Sequence, residues 1–256
     1  MLRHDGTMTP LTDLIVANRA FADLAARLDA DAPVQNEVWS TAGAMIDHVG
    51  NIQAWVTRLV QDGVPTDREL YARPLHLPRA EWFRQTSDAL VATLEATDPA
   101  RACWTLWGAE PVVAFWRRRM TNEVAKHLWD LRTAVEPDPL MPAEVGLNAR
   151  VGIMEEFVEL LVPAARRRGI DPLPRDVLLV AEDLGRTWLF SREWEVTTDP
   201  PAELVSTVDA DIMRADLGDL VLFVWQRASP WNLPDRFRID GGDAALRVFS
   251  RTPIHL

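Results

Sequence analysis

The stretch "NEVAKHLWD", Asn122 to Asp130, sets Glu123 and His127 four residues apart in a segment whose other periodic positions are apolar. At that spacing two side chains leave a helix on the same face, so both can reach one ion. One more ligand from a facing helix would make three. Of the five histidines, His48 is the best placed, because it lies mid-helix on a partly apolar face of a segment expected to pack in the same bundle. His4 and His255 lie near the termini, and His76 stands in a proline-flanked loop, which makes them weaker candidates. Two neutral imidazoles and one carboxylate are the ligand set of catalytic zinc sites, where three protein ligands leave a position open for water or substrate. Two plainer readings stay open at this level: Glu123 and His127 as an ordinary i,i+4 pair, and His48 as a hydrogen-bonded core histidine.

Helices are needed to hold such a set. Leu14, Ala17, Phe21, Leu24 and Leu28 give a first amphipathic stripe over residues 10–28. Met45, Val49, Ile52, Val56 and Leu59 give a second, with Ser40 or Thr41 as cap and Gly63 as its close. A third helix is expected over 79–96 and a fourth over 111–135, the latter carrying Glu123 and His127 inside a broad apolar arc. After "PDPLMP" a fifth is expected over 143–168, kinked near its end by Pro163. From there the pattern alternates: two strands in "DVLLVAEDLGRTWLFSREWEVTTD" joined by a turn near 183–185, a strand in "AELVSTVDAD", a buried helix in "ADLGDLVLFVWQRAS", a strand in "RFRIDGG" and a closing helix in "DAALRVFSR". The expected architecture is an α-helical domain over 1–170 followed by a small α+β domain over 171–256. Bundle cores are where metal sites assemble from facing helices.

Composition narrows the partners. The chain has 256 residues, 48% of them hydrophobic, which suffices for a full core in one or two domains. A net charge of −11 argues against nucleic acid and anionic membrane surfaces unless positive charge is clustered. The dense basic runs, "WRRRM" and "AARRRG", read more simply as solvated helix flanks or ends. No apolar run is long enough to span a bilayer and no secretory leader opens the sequence, so a soluble, cytoplasmic protein is expected. The single cysteine, Cys103, fits a reducing compartment and reads as a small buried hydrophobe before a nucleophile. Eleven tryptophans, on so acidic a chain, read as core and pocket lining.

The segment "RRRMTNEVAKHLWDLRTAV" resembles the metal-binding helix of the mycothiol-dependent maleylpyruvate isomerase family within the DinB-like superfamily. "HVGNIQAW" is similar to that family's second-helix segment, "ARVGIMEEFVELLVP" to its linker helix, and "LVLFVWQRAS" to a carboxy-terminal helix that usually ends Trp-Gly-Arg. The resemblance covers nearly the whole chain. It implies a DinB-like helical bundle followed by a small α+β domain, with His48, Glu123 and His127 as metal ligands, zinc or another divalent ion as the metal, and mycothiol, the low-molecular-weight thiol of actinobacteria, as cofactor. It further implies a metal-activated thiolate that attacks a small electrophile, with either an isomerase or an S-transferase outcome. Arg227 is the candidate for a substrate or thiol carboxylate, with a helix-end arginine bonded to the last carbonyls as its equal alternative. Arg119, one turn before Glu123, is a candidate to orient that carboxylate or a solvated side chain. Three departures stand out: Asn122 where many relatives have histidine, Gln226 in place of glycine, and a Trp39 to His48 interval one residue longer than expected. Rival functions are a non-catalytic small-molecule binding or resistance protein and a metal-dependent hydrolase.

Overall fold

A computed structural model describes residues 10–254, so His4 and His255 lie outside the described residues. The chain divides into two compact units, 1–152 and 153–256. In the first, four helices form a bundle: α1 (Pro10–Ala25), α2 (Ala42–Asp62), α3 (Arg79–Ala96) and α4 (Val113–Arg132). Helix α1 packs on α3 and α4, and α2 packs on the same two. The expected stripes point inward, with Leu14, Phe21, Met45, Val49, Val56, Phe83, Leu90, Met120 and Val124 buried and Phe21 stacked on Phe83 at 4.4 Å. Thr41 caps α2 by accepting from the Ala44 amide, and Gly63, at φ 77°, ends it.

The fifth predicted helix is broken into three pieces. Helix α5 (Leu147–Glu156) leads into one π-helical turn, Phe157–Leu161, and then α6 (Val162–Arg168). Pro163 has no N–H for the carbonyl four residues back, and the chain accommodates it by widening the preceding turn, where the Val162 amide donates to Phe157. The sequence suggested a division at 170; the compact units part at 152, inside α5.

The second unit is built on a five-stranded sheet. Strands β1 (Asp176–Ala181), β2 (Arg186–Phe190) and β3 (Val196–Thr198) form an antiparallel meander. Strand β4 (Ala210–Ala215) returns parallel to β1, and β5 (Arg238–Asp240) pairs antiparallel with β4. "AELVSTVDAD" is not one strand. Its first half is a short helix, α7 (Ala202–Thr207), opened at Pro201 and tied by the Ser206 and Thr207 hydroxyls to the Glu203 carbonyl, and only from Ala210 does it join the sheet. Leu178, Val180 and Leu189 form a cluster that Val205, Val208, Ala210 and Ile212 complete. The buried helix α8 (Leu217–Val224) and the closing α9 (Ala244–Phe249) help build a second core, in which Phe249 touches Phe157, Phe190, Trp194 and Phe223. The fold is thus a helical bundle followed by a small α+β unit, as the sequence implies. No helix of the described residues is long and apolar enough to cross a membrane.

Candidate metal centre

Helix α4 presents Glu123 and His127 from one face, and α2 brings His48 opposite them. The three are 5%, 2% and 8% exposed, so whatever they bind is bound inside the first unit. His48 Nε2 and His127 Nε2 each lie 3.3 Å from Glu123 Oε1, and one ligand atom from each residue falls within 4.8 Å of the others. Four ligands at the bond lengths usual for zinc stand about 3.4 Å apart on a tetrahedron, close to these edges.

The surroundings of each group narrow the chemistry. His127 Nδ1 is 2.8 Å from Asp130 Oδ2, and Asp130 is fully buried. With its Nδ1–H given to that carboxylate, the neutral ring turns the Nε2 lone pair toward Glu123. His48 Nε2 has no hydrogen-bond partner: its contact with Glu123 is close but off the line a hydrogen bond requires. A buried polar atom left in that state costs about 1–3 kcal/mol. A cation among the three atoms removes the cost and the lone-pair repulsion together, so the residues present fit a divalent metal.

Charge at the site follows from its neighbours. Burial pushes the Glu123 carboxyl upward, but the Arg119 guanidinium and the His127 ring outweigh it and hold Glu123 well below the usual carboxylate range. Arg119 pairs directly with Glu123 Oε2 and lies 5.3 Å from the Trp107 ring, which makes it the orienting partner weighed from the sequence. Burial lowers the His48 ring below the ordinary imidazole value against the upward pull of Glu123. For His127 burial is overcome by Glu123 and Asp130, and its value rises.

Arg227 belongs to the second unit, where it follows α8 and its Nη1 donates to the Trp225 carbonyl at 3.0 Å. That contact is the helix-end role weighed beside carboxylate recognition. Cys103 is buried, its thiol pushed up by burial, and its Sγ lies 3.9 Å from the Leu59 carbonyl. It has the surroundings of a packing residue. Asn122 is buried, with its amide 3.5 Å from the Gly152 carbonyl, and Gln226 adopts φ 61°, a left-handed conformation that suits the glycine it replaces. His76 is exposed.

Sequence reasoning passed over Asp130, Asn36 and Trp39. Asp130 stands three residues after His127, a spacing that puts both on one helix face and is the signal that could have found it. Asn36 donates to Asp130 Oδ2 at 3.0 Å, and the Trp39 ring stacks on His48 with centroids 3.5 Å apart. Both come from the loop before α2, whose contacts carry no periodicity that a sequence could show.

Residues 13–132, the span that contains all three candidate ligands, match the model of the mycothiol maleylpyruvate isomerase N-terminal domain. Among curated proteins, none matches the chain. Two crystal structures share its fold. One is a histidine-to-alanine variant of the mycothiol-dependent maleylpyruvate isomerase, with a TM-score of 0.64 and 16% identity over 90% of this chain and 91% of that one. The other is the mycothiol-dependent maleylpyruvate isomerase, with a TM-score of 0.61 and 14% identity over the same shares. The domain match bears out the family resemblance of the motifs within residues 13–132, and the shared fold bears out the expected architecture.

Proposed function

From a helical unit that matches the mycothiol maleylpyruvate isomerase N-terminal domain, in a chain that shares that isomerase's fold, we propose a metal-dependent enzyme that uses mycothiol to attack a small electrophile. The observation that carries the reading is the convergence of buried His48 Nε2, Glu123 Oε1 and His127 Nε2, with one of them lacking any hydrogen bond. These three side chains are the ligands. A divalent ion there supplies deprotonation of a coordinated thiol at neutral pH, which makes the sulfur a nucleophile without a protein base. Asp130 holds His127 in the tautomer that offers Nε2. Arg119 keeps Glu123 ionised and fixes its second oxygen. Arg227 is assigned a carboxylate of the substrate or thiol.

Addition of the sulfur to an activated double bond, rotation and expulsion would give an isomerase; retention of the sulfur would give an S-transferase. A hydrolase is less well supported, because it needs a general base beside its water. The two carboxylates gathered around His127 are both engaged, Glu123 with Arg119 and Asp130 with Asn36 and His127. A non-catalytic binding protein on the same fold would show no thiol-dependent turnover.

The test is to load the protein with zinc, add mycothiol and maleylpyruvate-like electrophiles, and follow isomer or adduct by mass spectrometry. Turnover that needs both metal and thiol is expected, and both His48→Ala and His127→Ala should lose metal and turnover together. Turnover in metal-free protein or without thiol would refute the assignment.

A further inference from the structure

Resting on the metal reading above, we infer that residues 33–41 form a strap whose Asn36 and Trp39 are positioning residues for the two histidines, Asn36 acting through Asp130 on His127 and Trp39 stacking directly on His48. The strap closes on itself: Pro33 bridges to Thr41, and the Val34 amide donates to the Ser40 carbonyl at 3.0 Å. It runs straight into the cap of the helix that carries His48, since Thr41 is that cap. Apolar burial does little to hold its tip, where Val38 is 75% exposed. Its attachments are polar and aromatic instead.

Asn36 is the hub. Its Oδ1 accepts from the Val38 and Trp39 amides at 3.0 and 2.9 Å, which fixes the backbone that presents the Trp39 ring. Its Nδ2 donates at 3.0 Å to Asp130 Oδ2, the same oxygen that takes His127 Nδ1 at 2.8 Å. An asparagine meets both demands because its amide has an acceptor and a donor on opposite branches; an aspartate would set a second negative charge against Asp130. The Gln35 amide adds a bond to Thr133 Oγ1 at 2.8 Å, three residues beyond Asp130 on the chain. On the other side, Trp39 lies nearly parallel to the His48 ring, at 22°, and meets His127 edge-on with centroids 5.4 Å apart. One loop therefore sets the carboxylate behind one histidine and the face of the other.

Asn36→Ala, Trp39→Ala and Trp39→Phe are to be made in the parent and in Asp130→Ala, with thermal unfolding to confirm that each folds. Two quantities are read: zinc affinity by chelator competition, and nitrogen-15 shifts of the histidine rings in metal-free protein at alkaline pH. Asn36→Ala should weaken zinc by about tenfold in the parent and by under about twofold in Asp130→Ala, because a residue that acts through another loses its effect when that other is gone. The same substitution should turn the His127 signal from one tautomer into a mixture. Trp39→Ala should weaken zinc in both backgrounds, and Trp39→Phe, which keeps a stacking ring, should restore most of the affinity. Equal losses from Asn36→Ala in both backgrounds, or unchanged affinity and ring signals, would overturn the inference. A parent that takes up no zinc would refute the metal reading, and the ring signals of the metal-free protein would still decide the strap.

Discussion

Two imidazole nitrogens and a carboxylate oxygen lie within 4.8 Å of one another in a buried place, an arrangement that a divalent cation among them would stabilise. The orientation of each atom is then worth measuring. Asp130→Ala should weaken zinc by about 10–100-fold, since it removes the acceptor that fixes the His127 tautomer, and calorimetric titration checks it. Cys103→Ser should leave metal content and thiol-dependent turnover intact, because the buried Cys103 thiol has no part in the site; loss of turnover in a folded Cys103→Ser protein would make Cys103 the nucleophile. At this scale the sequence was legible where chemistry and helical period coincide: Glu123 and His127 share a face, and His48 sits on an apolar one. Asn36 and Trp39 were not legible as site residues, because loop hydrogen bonds and ring stacking leave no spacing to read.

The three candidate ligands meet because α2 packs directly on α4, while α2 is also held against α3, which it approaches closely at Gly50. A Cβ on Gly50 would come within 2.3 Å of the Trp82 ring, which is itself buried and has nowhere to swing. Gly50→Ala should therefore cost about 1–3 kcal/mol of stability, read by denaturant unfolding, and, being two residues from His48, should weaken metal binding as well. A stability unchanged by this substitution would contradict the close approach of α2 and α3. Helices with a full apolar period were readable end to end, as α3 shows over Arg79–Ala96. Reading failed where an element is too short for its period to appear: α7 passed for strand, and β3, three residues long, was absorbed into its neighbour. The π-helical turn before Pro163 was foreseen only as a kink, because the proline announces a missing donor and not how the backbone accommodates it.

At the level of the whole chain, a net charge of −11 leaves small molecules as the better partners, and the role proposed for Arg227, a residue of the second unit, can be tested apart from the metal. Arg227→Ala should raise KM for a carboxylate-bearing substrate by about tenfold or more, the usual loss of a charge-assisted hydrogen bond, while metal content stays at the parent level because His48, Glu123 and His127 all lie in the first unit. The order of bundle, linker helix and sheet was readable from the change in hydrophobic period after residue 168, although the compact units part earlier, within α5. The central claim, that a metal held by these three side chains takes the sulfur of a small thiol, is tested most directly by replacing zinc with cobalt and titrating mycothiol. A sulfur-to-cobalt charge-transfer band should grow to saturation at about one thiol per chain and be absent from His127→Ala; a cobalt-loaded parent whose spectrum mycothiol leaves unchanged would contradict it.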